Sequence, residues 1–103
     1  MLHTAKVGDT RLIRATYTSS NSSDDFTGAT GAKFTMGLAG STAKVNAASA
    51  TIISASGTTI VLSYSPTSPD MDTVGYYQVQ WEVTAGGKIV KLPSLGFDIV
   101  WIT

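Results

Sequence analysis

The sequence predicts an all-β chain, folded as an antiparallel two-sheet sandwich of about seven to eight short strands. Three observations predict it. Apolar and polar residues alternate at period two in several windows, and no window carries an apolar repeat at helical spacing. Thr, Val, Ile and aromatic residues fill those windows, while Glu occurs once, at Glu82. Clusters of Gly, Asn, Asp, Ser and Pro divide them at short intervals.

The elements follow in chain order. Leu2 to Val7 is a short strand closed by Gly8-Asp9. Leu12 to Thr18 is the next, with Ile13, Ala15 and Tyr17 on one face. Ser19 to Asp25 is a polar loop with nothing to bury, and Phe26 after it plugs the core edge. Ala32, Phe34, Met36 and Leu38 alternate with Lys33, Thr35 and Gly37, which is a strand with one wet face. Lys44 to Asn46 is a short edge strand. Ala50 to Ser54 and Thr58 to Tyr64 flank Ala55-Ser56-Gly57, a hairpin with Gly in its loop. Two prolines make Ser65 to Asp70 a loop. Gly75 to Thr84 is the clearest strand, since Tyr77, Val79, Trp81 and Val83 alternate with Gln78, Gln80 and Glu82. Ala85-Gly86-Gly87 turns it into Lys88 to Leu92, Pro93 breaks that strand, and Phe97 to Ile102 is the last. One face of each alternating strand must be buried, so Phe34, Met36, Tyr77, Val79 and Trp81 are expected in one core.

A chain of 103 residues is expected to form one domain, 1–103. Seven basic and seven acidic side chains cancel, and no basic stripe is present, which argues against a nucleic-acid partner. No apolar run approaches the roughly 20 residues of a spanning helix, so no membrane partner is expected. The segment from Met1 to Lys6 lacks the basic and apolar parts of a signal peptide. Cys is absent, which removes disulfides, thiolate zinc sites and a Cys nucleophile.

The chemistry-bearing residues are sparse. His3 is the single histidine, and no Gly-x-Ser-x-Gly element accompanies it as a nucleophile. Asp70-Met71-Asp72-Thr73-Val74-Gly75 begins like a calcium loop. It then places Val74 at the fifth position and Trp81 at the twelfth, where oxygen ligands are needed. A turn in which an Asp carboxylate caps backbone amides is the favoured reading. Gly28-Ala29-Thr30-Gly31 lacks the Lys of a phosphate loop. The expectation is therefore no enzyme, no cofactor and no metal. Tyr77 and Trp81 fall on the apolar face of their strand and are read as core, whereas Tyr76 and Trp101 stay open as sugar-stacking candidates.

Val7-Gly8-Asp9-Thr10 before a strand, then Phe26-Thr27-Gly28-Ala29-Thr30 leading to the Phe34 strand, form one half of a pattern. Val74-Gly75-Tyr76-Tyr77, Trp81-Glu82-Val83, Gly86-Gly87, Pro93, Gly96 and an Ile-rich closing strand form the other. In that order they resemble the immunoglobulin-like N-terminal domain of phage baseplate upper proteins and related small tail modules. The resemblance spans nearly the whole chain and rests on the order of its Gly-anchored elements. It implies an immunoglobulin-like β-sandwich that acts as a structural virion component of a bacteriophage, in a tail, baseplate or fibre attachment. Its partners would be other virion proteins and copies of itself, and it would be made in the host cytoplasm. Gly75-x-Tyr77 also resembles the tyrosine corner of sandwich folds. The alternatives are a carbohydrate-binding adhesion module directed at host-surface glycans, and a capsid decoration protein.

Two strands break the one-wet-face rule. Phe97-Asp98-Ile99-Val100-Trp101-Ile102 is apolar on both faces, so either Val100 and Ile102 or Trp101 must point outward. Thr59-Ile60-Val61-Leu62 has the same property at Val61. Val61, Val100, Trp101 and Ile102 are thus the candidate protein interface, on the expectation that the two strands form one exposed apolar patch.

Overall fold

The computed structural model describes residues 2–103, so Met1, the first residue of the expected domain, lies outside them. Its strands are β1 (Leu2–Ala5), β2 (Ile13–Thr18), β3 (Gly31–Gly37), β4 (Val45–Ser56), β5 (Thr59–Tyr64), β6 (Gly75–Ala85), β7 (Lys88–Leu92) and β8 (Asp98–Ile102). A single 3-10 turn, Ser68–Met71, is the one helical segment among the described residues. The chain is all-β. Neighbouring strands run in one continuous order, β1-β8-β6-β3-β4-β5-β2, with β7 added beside β6. The path curls into a nearly closed, barrel-like arrangement.

The longest departure from the sequence reading is β4. Two pieces, Lys44 to Asn46 and Ala50 to Ser54, are one strand of 12 residues. Ala47 adopts φ 50, and the pairing with β3 shifts register between Phe34 and Met36. Such a bulge turns a strand without ending it. The Ala47 N–H that the bulge withdraws from the ladder donates to Thr35 Oγ1 at 3.1 Å. The first half of β4 pairs with β3, and the half from Thr51 onward pairs with β5. β4 therefore carries the path from one side of the core to the other.

β6 is the central strand. Its first half pairs with β8 and its second with β7, while β3 runs along its other edge. β1 joins β8 in parallel, so the two ends of the described chain lie side by side. Phe34, Met36, Tyr77, Val79 and Trp81 are all buried in one cluster with Ile13, Phe26, Ile60, Leu62, Val100 and Ile102. Phe34 binds it together: its ring stacks on Tyr64 at 4.3 Å and meets Trp81 edge-on at 4.8 Å. Aromatic pairs of this geometry add about 0.5–1.5 kcal/mol beyond burial.

At the entry to β6, Tyr77 Oη donates to the Thr73 carbonyl at 2.8 Å. Gly75 makes this possible, because its φ of 152 disfavours a side chain and a Cβ there would lie 3.1 Å from Leu38. Across the core, the Tyr17 hydroxyl of β2 donates to the buried Asp98 carboxylate of β8. Burial first, and the neighbouring carboxylate second, push the Tyr17 phenol far above its ordinary pKa.

Candidate functional site

The alternation of β6 sends Tyr77, Val79 and Trp81 inward and Tyr76, Gln78 and Gln80 outward. β8 sends Asp98, Val100 and Ile102 inward and leaves Trp101 exposed. Register then assembles an outer face. Tyr76 opposes Trp101, which opposes Thr4 of β1. One row along, Gln78 lies between Ile99 of β8 and Gly37 of β3, and Leu2 flanks Ile99. The next row pairs Gln80 with Thr35, and the last sets Glu82 between Lys33 and Lys91. The face thus grades from aromatic, through amide, to charged.

Tyr76 is 60% exposed and Trp101 36%, with their rings 5.0 Å apart and 11° from parallel. Each ring covers one face of the other, so they form a stacked pair and not a coplanar platform. Leu2 and Phe97, at 62% and 51%, extend the apolar surface. Beside Phe97 a shallow cleft of about 190 Å³ opens over β3 and β6, with Gln78, Gln80, Thr35 and Ser41 supplying its polar groups. Its wall is close-packed: a Cβ on Gly37 would meet the Ala43 backbone at 3.0 Å, so any larger residue there would have to push that backbone aside.

No protein-family model, curated protein or solved structure matches the chain.

The candidate interface residues separate. Val100 and Ile102 are core side chains, 0% and 1% exposed, which corrects their placement on an outer surface. The buried Asp98 decides the register, because its carboxylate is turned inward to meet Tyr17 and period-two alternation carries Val100 and Ile102 with it. Trp101 is the member that faces out. Val61 is half-buried on β5, between outward Thr16 and Ser54, while Ile60 and Leu62 fill the core. In the strand order β5 is separated from β8 by β6, β3 and β4, so Val61 and Trp101 are not on neighbouring strands. The two strands do not form one patch. Leu2 and Phe97 were not among the candidates, and Tyr76 was one only for sugar stacking. Tyr76 carried a signal as the outward neighbour of Tyr77, but its pairing with Trp101 needs the β6–β8 register.

Asp9, Asp70 and Asp72 have structural partners. Asp70 accepts from Tyr64 Oη at 2.6 Å and from the Thr67 N–H at 2.9 Å, an arrangement that caps the 3-10 turn. Burial, and then this carboxylate, push the Tyr64 phenol up to about 12. Asp72 pairs with Lys44 and accepts from Thr73, and the Lys44 contact is the main cause of its lowered pKa. Arg11 donates through its side chain to both carboxylate oxygens of Asp9, whose pKa falls to about 2 chiefly through that hydrogen bond. Among the described residues no three His, Cys, Asp or Glu side chains gather as metal ligands, and no helix is long and apolar enough to cross a membrane.

Proposed function

We propose that this chain is an immunoglobulin-like β-sandwich serving as a structural module of a bacteriophage virion, where it docks on other virion proteins through the outer face of β1, β8 and β6. The sandwich reading is supported by the passage of β4 between two ladders, by the parallel β1–β8 pair and by the Tyr77–Thr73 bond, which has the form of a tyrosine corner. The order of Gly-anchored elements along the sequence supports the phage assignment.

One observation carries the docking role. Leu2, Tyr76 and Trp101 stand exposed together on strands whose alternate residues are already committed to the core. Nothing in folding demands large apolar groups at these outward positions, and water opposes them at about 25 cal/mol per Å². Interfaces are enriched in such aromatic anchors. Mass spectrometry of purified particles from the source that encodes the chain tests the proposal. The chain should be present at a copy number that matches the particle symmetry, and Tyr76→Asp/Trp101→Asp should fold but be missing from particles. Particles that lack the wild-type chain, or that take up the variant normally, would overturn it.

A further inference from the structure

We propose that the cleft beside Phe97 binds a neutral saccharide residue, held by the side-chain amides of Gln78 and Gln80 against the Phe97 ring. The cleft lies on the same outer face, beginning one row along from the Tyr76–Trp101 stack, and its ligand is tested on the free chain, so the outcome does not depend on the virion reading. Four observations lead to it. Gln78 and Gln80 are half-buried, project from the same face of β6, and neither side chain hydrogen-bonds elsewhere within the described residues. Each amide offers two donors and an acceptor with two lone pairs. Phe97, half exposed, supplies an apolar ring at the cleft edge, and Leu38 flanks the other side. No ionisable side chain lines the cleft, since Glu82 and Lys33 fall one row beyond Gln80 and Thr35.

These features select among ligand classes. A cleft without charge offers nothing to an anion or a cation that would offset its desolvation. A peptide recognised through its main chain needs a free strand edge, and β6 is paired on both sides. What is left is a compact, uncharged ligand that carries hydroxyls on its rim and C–H groups on its face. A pyranose ring meets that description: the amides bond the hydroxyls, and the C–H face rests on Phe97.

The test is nuclear magnetic resonance on the 15N-labelled wild-type chain, titrated separately with glucose, galactose, N-acetylglucosamine and, as a competing class, a neutral tripeptide. At least one sugar should shift the Gln78 and Gln80 side-chain amide signals and saturate in roughly the millimolar range expected of a single small ring. Gln78→Ala/Gln80→Ala changes only outward side chains. It should keep the backbone spectrum and weaken that sugar by about tenfold or more, as the loss of two hydrogen bonds implies. Phe97→Ala, tested separately because Phe97 lies outside the strands, should weaken it as well. The proposal fails if no sugar shifts these amides, if the tripeptide alone does so, or if the double variant binds the sugar as tightly as the wild type.

Discussion

The chain holds two aromatic clusters a few residues apart on the same strand, and they differ in closure. Phe34, Tyr64 and Trp81 interlock inside the core, where Phe34 and Trp81 are fully buried and Tyr64 nearly so. Tyr76 and Trp101 stack on the outside, and both stay partly exposed to solvent. The inner cluster is explained by folding alone. The outer one satisfies itself only in part, and the proposed docking role rests on that remaining exposure. Variants that separate stability from assembly will break or sharpen this contrast.

The largest effect belongs to the inner cluster. Trp81→Ala removes a fully buried indole and should cost about 3–5 kcal/mol, read as a lower urea midpoint with a similar slope. An unchanged midpoint would mean that Trp81 is not locked in the core, and the contrast would collapse.

A smaller loss tests the polar tie between the two sides of the core. Tyr17→Phe deletes the hydroxyl that donates to the buried Asp98. Withdrawing a donor from a buried carboxylate should cost about 1–3 kcal/mol. This matters for the outer face because Asp98 orients β8. If its register slipped by one residue, Trp101 would turn inward and Val100 outward. Equal stability of Tyr17→Phe and wild type would show that apolar packing alone sets the β8 register.

The outer pair comes next. A double-mutant cycle of Tyr76→Ala and Trp101→Ala should give a coupling of about 0.5–1.5 kcal/mol, the range of one aromatic contact. Under the proposed docking role, incorporation into particles should fall far more than stability does. A coupling as large as the cost of Trp81→Ala would make the outer stack a structural element and remove its claim to be an interface.

Much of this was legible in the sequence, for physical reasons. β3 and β6 both show clean alternation, so Phe34 and Met36 on the first and Tyr77, Val79 and Trp81 on the second could be assigned to the core from period alone. The polar loop from Ser19 and the plug at Phe26 followed from the cost of burying polar groups. β4 was not legible as one strand, because its bulge at Ala47 uses a positive φ that Ala rarely adopts and no residue type announces. The register of β8 was left open, since both its faces are apolar and the deciding contact, Tyr17 to Asp98, spans 81 residues. The cleft beside Phe97 was invisible for the same reason. Its amides read as an ordinary wet face until the connection after β3 is seen folded beside them.

The smallest expected effect concerns the edge where β1 meets β8. His3 sits opposite Val100, and its Nε2 is buried with no hydrogen-bond partner. Desolvation lowers its pKa below the ordinary 6.5; Asp9 opposes that shift and Arg11 adds to it. The fold therefore favours the neutral ring. Above pH 6.5 the ring is neutral in both folded and unfolded chains, and the stability it allows is fully present. As the pH falls below 6.5, the unfolded chain takes up a proton that the folded chain refuses, so stability declines until the folded-state pKa is reached. A thermal midpoint that drops slightly between pH 7 and pH 5 should result. His3→Gln, which cannot titrate, should flatten the drop over this range, where the carboxylates with lowered pKa, Asp9, Asp25 and Asp72, stay ionised. A profile unchanged by His3→Gln would show that β1 admits water to the ring, and that the inward side of this edge is as open as the outward one.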